Sequence, residues 1–248
     1  MTLLVLTALI TLALTTLFSM AGVGAALILI PVFLAFGIEL HTAMAIALLL
    51  NALGMTVASI TFMRKGLVEW RLVAPILVLA VALSPVGVST AHGLDRTPLL
   101  WLFVVFLVFA AGMMLFYRPK PRSSRASTGA TLALGLPVGG AAGFIGGLLG
   151  VGGGNIIVPA LVASGLEPKR ASASASFVVI FASMSGFLAH VQVARIDPAL
   201  LGVTAVATLA GAALGAWLAA ERLSAHSLKR LIALVLLAVA IKTAWGLL

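Results

Sequence analysis

Six apolar runs of about 20 residues, at 42–62, 71–91, 98–117, 171–190, 199–219 and 228–247, decide what this chain can fold into. A run of that length crosses the hydrocarbon core of a bilayer as one helix, the element that satisfies its own backbone N–H and C=O groups where no water can. Composition agrees, because 62% of the residues are hydrophobic and only 8% charged, against about 25% charged in a soluble domain. So few polar side chains cannot cover a water-facing surface, which excludes a soluble enzyme and a nucleic-acid-binding domain. The expected class is an all-α polytopic membrane protein. With no cysteine, disulfides, thiolate metal sites and thiol catalysis fall away. The first Lys or Arg is Arg64, so the N-terminal segment lacks the basic start of a cleavable signal and is expected to be retained.

Two further runs, 2–36 and 129–164, are each too long for one span and, at about 1.5 Å per residue, short of two. Glycine interrupts both, as Gly22-Val23-Gly24 and as Gly146-Gly147-Leu148-Leu149-Gly150-Val151-Gly152-Gly153-Gly154-Asn155, and Pro31 or Pro159 follows. Each reads as a broken helical hairpin. An offset of 128 residues, the separation of Gly22 and Gly150, also superposes Gly24 on Gly152, Pro31 on Pro159, Gly37 on Gly165 and Glu39 on Glu167 without a gap. The chain therefore divides into a first membrane repeat at 1–117, a basic cytoplasmic linker at 118–128 and a second repeat at 129–248. Each repeat is a glycine-broken hairpin plus three transmembrane helices.

Charge decides the expected orientation, since Lys and Arg in short loops stay on the cytoplasmic side. If each hairpin begins and ends on one face, the repeats are inverted, twelve of the fifteen Lys and Arg lie inside, and only Arg96 and Arg195 lie outside. Parallel repeats would give eight against six. Inverted repeats with both termini periplasmic are expected, and the formal net charge of +9 then reports topology more than cargo.

Inverted repeats with helices broken near mid-membrane are the architecture of secondary transporters, in which half-helix N-termini aim free N–H groups at anionic substrate. The candidate substrate-binding positions are Gly22, Gly24 and Ala25 in the first repeat and Gly150, Gly152, Gly153, Gly154 and Asn155 in the second. Close helix packing is the competing explanation for a lone glycine pair. Four glycines between Gly150 and Gly154 exceed that need and are costly to a helix. Ser172 and Ser176 share a helix face, with Ser174 turned away, and are candidates for hydrogen bonds to an oxyanion or for easing helix contact. Thr42 and Asn51 are the first-repeat candidates. An amide deep in a span is expensive unless paired, so Asn51 is either a site residue or an interhelical hydrogen-bond partner.

The glycine motif with Pro159, its degenerate copy ending in Gly24 and Pro31, the Ala-Ser-Ala run at Ala171 to Ala175, and Gly66-Leu67-Val68-Glu69-Trp70 together resemble the TauE/SafE sulfite exporter family, over about 18–245. The resemblance implies a bacterial inner-membrane permease that moves sulfite, sulfonates or related organosulfur anions, usually outward. Ala25 and Ala26 stand where the second motif has Gly153 and Gly154, which makes the halves unequal. The expectation is a secondary exporter of small sulfur-containing anions working by alternating access, with a carboxylate carrier as the rival.

An enzyme is disfavoured. No His-Glu-x-x-His motif, Mg²⁺-binding carboxylate cluster or P-loop is present, and Ser185 with His190 lacks a nucleophile motif. No cofactor or metal is expected. His41, His92, His190 and His226 all fall near segment ends, which disfavours haem ligation and makes His190 an interfacial residue. Glu39 and Glu167, placed to pair with His41 or with Lys169 and Arg170, read first as structural, and with His190 they are the candidates for any proton or ion coupling. The expected partners are the anion and membrane lipid, and the oligomeric state is not legible.

Overall fold

The computed structural model describes residues 2–21, 24–116, 128–221 and 225–247. Among them are ten helices and no strand: α1 (Thr2–Ala21), α2 (Ala26–Ala35), α3 (Leu40–Arg64), α4 (Trp70–His92), α5 (Arg96–Phe116), α6 (Thr128–Leu149), α7 (Gly154–Ala163), α8 (Pro168–His190), α9 (Pro198–Glu221) and α10 (Ala225–Trp245). Five are long and apolar enough to cross a membrane, namely α3, α4, α5, α8 and α9. The sixth expected span coincides with α10, whose described apolar stretch is Ile232–Trp245. The chain is a multi-pass helical membrane protein. Both long runs break where glycine interrupts them, into α1 with α2 and α6 with α7. Most of the basic linker lies outside the described residues, as does Gly22.

The 128-residue offset relates α1–α5 to α6–α10 in order, and it also relates their packing. α1 lies against α9 and α6 against α4, α3 pairs with α8, and α5 pairs with α10. Each half is a unit of sequence only, because its first helix packs on the fourth helix of the other half. α3 and α8 run antiparallel: His41 at the start of α3 meets His190 at the end of α8, and Asn51 meets Ser183. Glu69, just past α3, meets Ser174 near the start of α8.

Lipid gives helices no hydrophobic drive to associate, so close backbone approach has to hold them together. Gly135, Gly139, Gly143 and Gly147 recur every four residues on α6 and lie against Pro75, Ile76, Ala80 and Ser84 of α4. The same contact between α1 and α9 uses Gly211 and Gly215 against the carbonyls of Leu12 and Thr16. The outward faces carry exposed Val78, Val105, Val206 and Ile241, the side chains expected where the surrounding solvent is lipid.

Gly143→Val would drive its branched side chain into the Ala80 backbone, whereas Gly112→Val enters open space. Overpacking of this kind costs about 1–3 kcal/mol. Detergent-solubilised Gly143→Val should melt earlier and give less monodisperse protein than wild type, with Gly112→Val unchanged.

Candidate functional site

Among the described residues the two helix breaks share part of their geometry. α6 ends at Leu149, and Gly150, Gly152 and Gly153 turn the chain at φ of 70°, 75° and 76°. That left-handed region disfavours side-chain-bearing residues, which explains the glycines. The Val151 N–H donates back to the Gly146 carbonyl at 2.9 Å. α7 then starts, with Ile156 and Ile157 donating to the Gly153 carbonyl at 3.0 and 3.2 Å. In the first half Ile28 and Leu29 donate to the Ala25 carbonyl at 3.1 and 3.0 Å, the same bonds at the same offset. Ala25 is right-handed, at φ −94°, where Gly153 is left-handed. The first N–H groups of α2 and α7 are those a helix leaves without an internal partner. Pro31 and Pro159 have no N–H to donate to the Leu27 and Asn155 carbonyls four residues earlier.

Asn51 stands between the breaks. Its Oδ1 lies so close to Gly24 that a Cβ there would collide with it, and its Nδ2 lies 2.5 Å from where a Cβ of Gly152 would stand. Ser183 Oγ crowds the same Gly152 position. Nδ2 donates to Ser183 Oγ at 3.0 Å, tying α3 to α8 across the two halves. Oδ1 is buried with no hydrogen-bond partner among the described residues, and Asn51 is 2% exposed. Such an acceptor is costly to bury unpaired, so this one is ready for a donor. The amide is thus both an interhelical partner and a polar group at the breaks.

The other candidates are dispersed. Asn155 is buried in the first turn of α7. Ser176 donates to the Ser172 carbonyl at 2.7 Å and so serves its own helix. Ser174, turned away from the face of Ser172 and Ser176, accepts from the Glu69 N–H at 2.9 Å. Glu167 precedes α8 without a side-chain cap bond. Ser185 donates to the Val81 carbonyl at 2.9 Å. His190 is 0% exposed rather than interfacial, because α8 meets α4 and α3 along its final turns.

Beyond the start of α3 lies a cavity of about 320 Å³, lined by residues that include Glu39, Thr42, Ile46, Arg195 and Asp197. The Thr42 hydroxyl accepts from the Arg195 N–H at 3.2 Å. Glu39 caps α3, accepting from the His41 and Thr42 N–H groups at 3.0 and 2.9 Å. Partial burial works against its charge, but those N–H groups and the His41 ring prevail and hold the carboxyl down at about 2.

The pattern that defines the family described as "Sulfite exporter TauE/SafE" matches residues 6–243. The chain belongs to the TauE/SafE family. It is 27% identical over 246 residues to a "probable membrane transporter protein" of Haemophilus influenzae, covering 89% of this chain and 90% of that one. A "probable membrane transporter protein" of Bacillus subtilis is 38% identical over 73 residues, 29% of this chain and 24% of the relative. Sulfite exporter TauE/SafE family protein 3 of Arabidopsis thaliana is 36% identical over 95 residues, 38% of this chain and 18% of the plant protein. The chain therefore spans less than a quarter of the Bacillus and Arabidopsis relatives and most of the Haemophilus one.

In this TauE/SafE chain sequence reasoning missed Ser183 and Arg195. Ser183 lies one turn beyond Val179, the counterpart of Asn51, and that position was the signal. Arg195 was one of only two basic residues expected outside. The folded-state carboxyl of Glu39 is depressed, so its contribution to stability is full above the ordinary value of 4.5 and is lost as pH falls toward 2. Glu39→Ala should cost about 0.5–2 kcal/mol of cap stabilisation. Thermal melts of the two proteins should differ at neutral pH and converge as the medium is acidified through that range.

Proposed function

We propose that this transporter carries small sulfur-containing anions, sulfite and organosulfonates among them, outward across a bacterial inner membrane by alternating access between two inverted repeats. The observation that carries the reading is the Asn51 amide, wedged between Gly24 and Gly152 where α2 and α7 begin. Helix N-termini attract anions without a side-chain charge, and broken backbone at that depth is tolerated where it is buried or lines a wet path. The free Oδ1 suits an anion that carries a hydrogen, or a water that travels with one. The inversion is supported by the antiparallel run of α3 and α8, which the offset relates, and by the twelve-to-two charge count. In this topology both termini and the Arg195 cavity face the periplasm. Sulfur chemistry is supported by the family's description and by the Arabidopsis relative's name.

Purified protein in proteoliposomes should move sulfite, with sulfonates, sulfate and small carboxylates as comparison solutes. Response to carboxylates alone would reject the sulfur assignment. Asn51→Leu removes a hydrogen bond to a charged or polar ligand, about 1.5–3 kcal/mol, and should slow flux roughly ten- to hundredfold. Gly152→Val, strained at positive φ and crowded by Ser183, should abolish it. Full flux in both variants would remove the breaks from the mechanism. Reporter fusions at the 118–128 linker and at the C-terminus should report cytoplasm and periplasm respectively, and a cytoplasmic C-terminus would overturn the inversion.

A further inference from the structure

Three of the four histidines, far apart in sequence, meet at one end of the molecule. His41 opens α3, while His92 and His190 close α4 and α8. The His41 and His190 rings each lie 5.1 Å from that of His92, edge to face, and 6.1 Å from each other. His92 Nε2 and His190 Nδ1 share a hydrogen bond of 3.2 Å. His41 Nδ1 lies 3.0 Å from Glu39 Oε1 and its Nε2 3.4 Å from the Ala91 carbonyl, so both ring nitrogens face oxygen acceptors. The group runs from water to core. The Glu39 side chain is 60% exposed and His92 is exposed, but His190 is fully buried, with no hydrogen-bond partner at Nε2 among the described residues. The groups acting on His190 are His92 of α4, the backbone of Gly147 on α6, and His41 and Glu39 at the start of α3. Among the described residues no group of three His, Asp or Glu is arranged to hold a metal ion. A direct ring-to-ring bond instead suits the exchange of a proton.

The hydrogen-bond inventory limits what the cluster can hold. The His92–His190 bond needs one nitrogen with a hydrogen and one without, and an imidazolium has two donors and no acceptor. One added proton can be shared across the bond; charging both rings breaks it and sets like charges against each other and against His41. The bond also sits at a junction. α4 and α8 are tied along their length by Ser84 Oγ donating to the Ala182 carbonyl at 3.0 Å and by the Ser185 bond to Val81. The His92–His190 bond closes the end of that seam. Ser183, partner of Asn51, is seven residues before His190, two turns along one face of α8, about 10 Å. The outer cavity reaches Ile46, five residues short of Asn51 on α3, about 7.5 Å along the axis. The cavity and the three histidines thus lie at the same end of α3, joined at Glu39, which lines the cavity and meets the His41 ring.

We propose that His41, His92 and His190, with Glu39, form a proton-binding site open to the outer water, whose charging releases the end of the α3–α4–α8 seam and joins the outer cavity to the Asn51 crossing. Protons enter at His92, bind the His92–His190 pair and return to the same water when the seam closes. By linkage, an anion held at the crossing then raises the affinity of the cluster for protons, and protons raise outer access to the anion site. The placement of this end outside rests on the topology proposed above.

The absence of cysteine makes access measurable without a substrate. Ile46→Cys, at the inner limit of the cavity, would be labelled by a membrane-impermeant methanethiosulfonate in proteoliposomes, alone and combined with His92→Gln or His190→Gln. His92 is exposed, so its replacement by glutamine tests the cluster even if His190→Gln fails to fold. Between about pH 8 and about pH 6 the labelling rate with all histidines present, divided by the rate in the His92→Gln background, should rise about tenfold. A ratio that stays flat overturns the proposal, whatever the protein carries. Sulfite flux is the second readout: it should rise as the outer pH is lowered, and His92→Gln should flatten that rise. A rising labelling ratio without any sulfite flux would count against the sulfur assignment and leave the proton site standing. A rising ratio with sulfite flux indifferent to pH would overturn the link between the cluster and transport.

Discussion

In lipid a broken helix has nothing but protein with which to satisfy its loose ends, and two such breaks meet at the centre of this molecule. Each ends one half-helix and starts another, leaving first-turn N–H groups at the start of α2 and of α7. The fold answers by bringing the breaks together instead of hiding them apart. Asn51 reaches both, and its bond to Ser183 belongs to neither hairpin but to the two helices, α3 and α8, that pass between them. The exchange of partners between the halves follows from this geometry. With α1 on α9 and α6 on α4, Gly24 and Gly152 both come to the buried Asn51 amide.

Close approach of backbones is what allows that arrangement to hold. The α6 glycines rest against the backbone of α4, and the glycines at the second break touch α3, α6 and α8 through Met44, Ala142 and Ser183. Glycine therefore does two jobs that composition cannot separate. On α6 and α9 it shortens the distance between helices, whereas at Gly24 and Gly152 it supplies a positive φ and room for the Asn51 amide. The surface ion pair of Arg170 with Glu69, at 3.7 Å and well exposed, contributes little beside these contacts.

Spans and breaks were legible because each is a local pattern: apolar length and a glycine run that ends a helix. The identity of contacts was not, because the partner exchange places residues together that no local period relates. Asn51 was recognisable as costly, yet its partner Ser183 lies on the other half and one turn away from the matched position. Ser174 could be seen to turn away from Ser172 and Ser176, but its partner Glu69 also lies on the other half. The histidines fall at segment ends, but nothing in their spacing shows that three helix ends come to one point. The four-residue glycine period of α6 was readable and was overshadowed by the denser motif beside it.

The offset that exposes the duplication also separates scaffold from chemistry. Gly24, Pro31, Gly37 and Glu39 all keep their counterparts, and with them the breaks, the turns and the residue before α3 or α8. The residues of the Asn51 crossing and of the histidine cluster keep none: Asn51 answers to Val179 and Ser183 to Met55, while His41, His92 and His190 answer to Lys169, Ala220 and Phe62. On the inverted topology proposed above, a symmetric scaffold would give two mirrored conformations of similar energy, which is what the proposed alternating access needs. It cannot by itself distinguish the two sides of the membrane. In the proposal made here, three histidines at one end, with Lys169, Ala220 and Phe62 at the matched positions, would supply that distinction. The direction of a transporter built in this way would reside in the departures from its repeat.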